Sequence, residues 1–289
     1  MGKARKGRYK KMLTAIDGSE SGFHALKESF KLASNEKSWI TVTCVVPSYE
    51  GDLDTVALGS VMDSIRKPCE QALEEAKRIA KSEGALIKTV CEEGEPYERI
   101  IDLSEEENAE LIIMGRRGMS RLERALMGSV TARVIGHSRR DVLIVPRDAS
   151  IGWNKILITT DGSKYSKAAT ERAIDFAAAY GGEIKILSIV DVPAEFYGEA
   201  PDAVEDLVNK AKSYVEDVKK QAEAAGVKAE TLVREGESYR MILDVAEDLS
   251  VNAIVMGSHG RTGLKRLLMG SVTEKVIGYA HCPVLIVKS

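Results

Sequence analysis

Histidine and cysteine are scarce in this chain, four of each in 289 residues, and their spacing removes two chemistries. Cys44, Cys69, Cys91 and Cys282 form no CxxC pair and no cluster with histidine, so neither a zinc site nor a disulfide framework is expected; they read as reduced, packed thiols. His24, His137, His259 and His281 fall in no HExxH or HxE arrangement, which argues against a metalloenzyme. No apolar run approaches the roughly 18 residues of a membrane-spanning helix. A strong overall charge is missing too: 41 basic and 44 acidic residues leave a formal −3, giving no field to gather nucleic acid or anionic membrane. The one basic run, Lys3, Arg5, Lys6, Arg8, Lys10 and Lys11, holds Tyr9 as its single aromatic and reads as a solvated tail. No apolar stretch of leader length separates it from Asp17, so a cytoplasmic protein without membrane or nucleic-acid partners is expected.

What is present is an ordinary soluble composition, 44% hydrophobic and 29% charged, over about twice the length of a usual domain. The chain repeats itself. MGRRGMSRLERALMGSVTARVIG at 114–136 aligns without gaps on MGSHGRTGLKRLLMGSVTEKVIG at 256–278, identical at 14 of 23 positions. TAIDGS at 14–19 matches TTDGS at 159–163, and VLIVP at 142–146 matches VLIVK at 284–288. Two tandem copies are expected, 1–149 and 150–289, with the boundary near Asp148–Gly152.

Within each copy short apolar runs alternate with segments of helical period, the pattern of βαβ units and a parallel sheet. The first copy predicts strands near Met12–Ile16, Trp39–Val46, Ala85–Cys91, Leu111–Met114 and Val142–Val145. Helices over Glu20–Ala33, Ser60–Ser82, Tyr97–Glu107 and Ser129–His137 fill the gaps. The second predicts strands near Ile156–Thr160, Ile184–Val190, Lys228–Val233, Ala253–Met256 and Val284–Val287, with a long helix from about Ala203 to Ala225. Strands such as LIIM and VLIV are apolar at every position, as a sheet covered on both faces requires. A doubly wound α/β fold follows, and its ligands bind where strand order reverses, at the carboxyl ends of strands one and four.

Those ends carry a matched pattern. After strand four stand Gly115, Gly118, Gly128 and Ser129 in the first copy and Gly257, Gly260, Gly270 and Ser271 in the second. Glycines allow positive φ and close backbone approach, and a helix opening at Ser129 or Ser271 offers free N–H groups, a positive dipole end and the hydroxyls of Thr131 or Thr273 to a phosphate. One such spacing is weak; two in register are strong. No GK[ST] follows and no GxGxxG is formed, so the lysine of a P-loop NTPase is missing. Asp17 and Asp161 end strand one, where each reads equally as a hydrogen-bond acceptor for a base or ribose and as turn chemistry before a helix. Arg116 and Arg117 stand where the second copy has Ser258 and His259; the arginines read equally as phosphate clamps and as solvated loop residues, and His259 has no triad partner in sequence.

With these motifs and the closing VLIV strand, each half resembles a universal stress protein domain, and the resemblance runs end to end. It implies two tandem doubly wound domains, each a five-stranded parallel sheet of order 3-2-1-4-5 with helices on both faces, from the subgroup that binds ATP or AMP. It implies that Ala15, Asp17 and Val45 meet the base, while Met114, Gly115, Gly118, Gly128, Ser129, Val130 and Thr131 hold ribose and phosphates. In the second copy Thr159, Asp161, Ile189, Met256, Gly257, Gly260, Gly270, Ser271, Val272 and Thr273 take those places. Gly-Ser-His-Gly matches the nucleotide-binding form more closely than the arginine-bearing first loop. The implied role is a nucleotide-dependent regulatory or protective module. Two alternatives stand beside it: a slow magnesium-dependent ATPase or phosphotransferase with Asp17 or Asp161 on Mg²⁺, and a nucleotide-free interaction module. The family also implies pairing through strand five, making a homodimer and, within one chain, a pseudo-dimer of Val142–Val145 with Val284–Val287.

Overall fold

The computed structural model describes residues 9–48, 55–118, 127–260 and 269–289, with the side chains of 55–63 excepted. Most of the basic run and the segments 49–54, 119–126 and 261–268 lie outside the described residues. The chain divides into two compact units, Met1–Arg147 and Asp148–Ser289.

Unit 1 runs β1 (Lys11–Ala15), α1 (Glu20–Glu36), β2 (Trp39–Val46), α2 (Thr55–Ser82), β3 (Ile87–Glu93), α3 (Pro96–Glu106), β4 (Leu111–Gly115), α4 (Ser129–His137) and β5 (Asp141–Val145). Unit 2 runs β6 (Lys155–Thr159), α5 (Lys164–Tyr180), β7 (Glu183–Val190), α6 (Phe196–Glu199), α7 (Pro201–Ala224), β8 (Lys228–Glu235), α8 (Ser238–Asp248), β9 (Ala253–Gly257), α9 (Ser271–Tyr279) and β10 (Val284–Val287). The strands lie parallel, in order β3-β2-β1-β4-β5 in the first unit and β8-β7-β6-β9-β10 in the second. Register sets Ala15 opposite Thr43 and Met114, and Thr159 opposite Leu187. In unit 1, α1 packs beside α2 and α3 beside α4; in unit 2, α5 packs beside α7 and α8 beside α9. β4, β9 and β10, and β5 beyond its first residue Asp141, are apolar, and all four are buried along their length between these layers.

Local chemistry fixes the helix ends. Ser19 caps α1 by accepting from Gly22 N at 3.1 Å, and Ser163 caps α5 from Ser166 N at 3.2 Å. Three boundaries differ from expectation. β3 starts at Ile87 because Ala85 N donates back to Ala80 O, which draws 83–86 into the helix-ending turn. α2 begins at Thr55 and carries Pro68 inside it. The short α6 precedes α7, whose first residue is Pro201, a position where a missing N–H costs nothing.

The same corner of each unit is anchored differently. Tyr9 is fully buried and donates its hydroxyl to Asp141 Oδ2 at 2.7 Å. Trp153 instead stacks on Phe176 with ring centroids 4.0 Å apart. Among the described residues no helix is long and apolar enough to cross a membrane.

Candidate nucleotide site

In unit 1 the chain leaves β1 through Asp17, whose Oδ1 accepts from Ser19 N at 3.0 Å, and through Gly18, which has φ +84°. Unit 2 repeats this with Asp161, Ser163 at 3.0 Å and Gly162 at φ +76°. Both aspartates therefore take the turn role, and the helix cap falls to the serine two residues on. The second oxygen of Asp17 faces Gly118: a Cβ there would lie 2.2 Å from Asp17 Oδ2, against 3.1 Å between Gly260 and Asp161 Oδ2.

The motif glycines act by lacking a side chain and not through positive φ, which in the turn after the first strand of each unit falls on Gly18 and Gly162. A Cβ on Gly115 would sit 2.9 Å from the Ser21 carbonyl oxygen, and one on Gly257 2.8 Å from that of Tyr165. The first glycine of each motif thus lets α1 or α5 lie directly on the strand end. Gly128 and Gly270 are extended caps of α4 and α9 that make no side-chain capping bond. Gly128 N donates to Arg116 O and Gly270 N to Ser258 O, each at 3.0 Å, which closes the loop back on its own start. Thr131 and Thr273 are buried and donate to Gly115 O and Gly257 O, each at 3.3 Å. The first amides of α4 and α9 have no intrahelical acceptor, so the positive end of each dipole meets the loop.

A cavity of about 390 Å³ opens above this arrangement in unit 1. All ten expected residues line it: Ala15, Asp17, Val45, Met114, Gly115, Gly118, Gly128, Ser129, Val130 and Thr131. The sequence reading missed its far wall, where Ile65, Pro68 and Cys69 of α2 face Thr43 and Cys44 of β2. Thr43 is fully buried, and its Oγ1 has no hydrogen-bond partner among the described residues. Burying such a hydroxyl without a partner is costly, and at zero exposure it lies behind the cavity surface and not on it.

Unit 2 has a cavity of about 140 Å³ at the corresponding place. Thr159, Asp161, Ile189, Met256, Gly257, Gly260, Val272 and Thr273 line it; Gly270 and Ser271 do not. Cavity size therefore runs opposite to the closeness of the two loop sequences. His259 reaches this cavity, with Nδ1 3.1 Å from Ser258 Oγ and its ring 5.4 Å from that of Tyr165.

Among the described residues no group of three or more His, Cys, Asp or Glu could hold a metal ion. The four cysteines are free thiols. Cys69 Sγ lies 2.8 Å from Cys91 Sγ and 3.3 Å from Cys44 O. Burial first, and Cys69 beside it, push the Cys91 thiol up to about 12, so it stays neutral near pH 7.

The universal stress protein family matches residues 8–146 and again 152–288. The chain belongs to that family. A universal stress protein of Methanocaldococcus jannaschii is 40% identical over 141 residues, 47% of this chain and 82% of that protein. One from Mycolicibacterium smegmatis is 24% identical over 292 residues and covers 96% of each. The crystal structure of a universal stress protein from Archaeoglobus fulgidus shares the fold, with a TM-score of 0.74 at 24% identity over 96% of each chain.

Proposed function

We propose that this universal stress protein binds ATP or AMP in the unit 1 cavity and acts as a non-catalytic, nucleotide-dependent regulatory or protective module. The observation that carries the reading is the polarity of that cavity. At one end lie the glycine loop, Ser129 and the first amides of α4, a setting that favours phosphate. At the other lie apolar walls from Ala15, Val45 and Ile65, a setting that favours a flat heterocycle. Asp17, between the two, is placed to accept from a ribose hydroxyl or a base amino group.

Hydrolysis is disfavoured by the lining itself. Among the described residues it holds one carboxylate, Asp17, one cation, Arg117, and no lysine or histidine to serve as phosphate clamp or base. Magnesium would arrive on the nucleotide's own phosphate oxygens, with Asp17 the one carboxylate among the described lining residues to reach it.

Mass spectrometry of small molecules released from the purified full chain should find an adenine nucleotide. Calorimetric titration with ATP and AMP should show binding that Gly128→Val abolishes while circular dichroism stays unchanged, because a Cβ at Gly128 meets nothing closer than 3.5 Å yet projects a branched side chain at the phosphate end. Absence of any heat with both nucleotides, or equal affinity in Gly128→Val, would overturn the proposal.

A further inference from the structure

We infer that Tyr214 closes the base compartment of unit 2, so that each chain holds a single adenine nucleotide, in unit 1. The inference rests on the nucleotide reading above and adds a residue that decides which half is occupied. The helix that follows the second strand, α2 in one unit and α7 in the other, ends in each case two residues before a glycine of positive φ, Gly84 at +66° and Gly226 at +74°. Counting back from these glycines places Tyr214 where unit 1 has Ala72, and Lys210 and Ala211 where it has Pro68 and Cys69.

The structure shows what the exchange does. A Cβ on Gly18 would lie 3.7 Å from Ala72 Cβ, an ordinary contact. A Cβ on Gly162 would lie 2.5 Å from Tyr214 Cε1 and 2.8 Å from Cζ, so the phenol ring rests directly on the turn that follows Asp161. In unit 1 the cavity runs past that turn to Ile65, Pro68 and Cys69 of the helix. In unit 2 it stops short, and no residue of α7 lines it. Leu187 takes the register position of Thr43 and lines the smaller cavity. The remaining 140 Å³ falls below the roughly 300 Å³ at which sites for small organic ligands begin, whereas 390 Å³ lies above it.

Equilibrium dialysis of the full chain against radiolabelled ATP, after removal of copurified nucleotide, tests this by stoichiometry. Wild type should bind one ATP per chain, Tyr214→Ala two, and Tyr214→Phe, which keeps the ring, one. Ala72→Tyr, which writes the unit 2 residue into unit 1, should bind none while keeping its circular dichroism. Two ATP per wild-type chain would sink the role of Tyr214 and leave the nucleotide reading standing. One ATP per chain in both Tyr214→Ala and Ala72→Tyr would do the same. No ATP bound by wild type or by any variant would remove the nucleotide reading itself, and this inference with it.

Discussion

The two units share 14 of 23 residues across the glycine loop and the helix it opens, yet the cavities over those loops measure about 390 and 140 Å³. The loop supplies an anion-binding end in both halves. Room for the remainder of a ligand comes from elsewhere, from the second strand and from the helix that follows it. There the copies have drifted: Thr43 against Leu187, Cys69 against Ala211, Ala72 against Tyr214. A motif can therefore be duplicated intact while the site it serves is not.

Substitutions that break one half and spare the other sharpen this contrast. The largest effect is expected from Trp153→Ala, which empties a buried stack on Phe176. It should lower unfolding free energy by about 3–5 kcal/mol in urea titrations while ATP binding at unit 1 survives under native conditions. Gly118→Ala drives a methyl into Asp17 Oδ2, whereas Gly260→Ala has about an ångström more space. The first should weaken ATP at least about 100-fold by calorimetry, near 2.7 kcal/mol, and the second should leave affinity unchanged. Thr43→Val separates fold from ligand: removing an unpaired buried hydroxyl from behind the cavity wall should raise the apo melting temperature, while ATP affinity stays within about twofold. A tenfold loss of affinity would show instead that the hydroxyl turns towards the nucleotide.

The smallest effect is electrostatic and belongs to unit 2. Glu183 and Lys185 occupy the positions on β7 that Trp39 and Thr41 hold on β2, and Lys185 lies 3.3 Å from Glu183. Lys228, then Lys185, hold the Glu183 carboxyl below its usual range. A depressed carboxylate stabilises the fold above its unfolded pKa of about 4.3 and loses that contribution as pH falls through the lower folded value. Acidification from pH 7 towards 3 should therefore cost wild type about 0.5 kcal/mol more than Glu183→Gln in urea titrations, the pair being partly solvated.

The sheet was legible in the sequence because it is written in uninterrupted apolar runs, LIIM and VLIV, and in a duplication that reports each boundary twice. The phosphate end was legible for a related reason: its residues fall within 15 positions of the chain, and the structure gathers Gly115, Gly118, Gly128 and Ser129 on one cavity wall. The opposite wall was not. Ile65 and Pro68 reach the cavity from one face of a 28-residue amphipathic helix, where any apolar residue reads as core. Positive φ was assigned to the motif glycines when it falls instead on Gly18 and Gly162, since a pattern cannot distinguish a glycine chosen for its backbone angle from one chosen for the neighbour it admits.

Gly115 and Gly257 carry that last distinction further. Each is compelled by a helix backbone less than 3 Å from where its Cβ would stand, a demand that exists with or without a ligand. After a gene duplicates, such a residue is held in place by folding alone and outlasts the loss of the site beside it. Its presence in a descendant dates the architecture and is silent about whether anything is still bound.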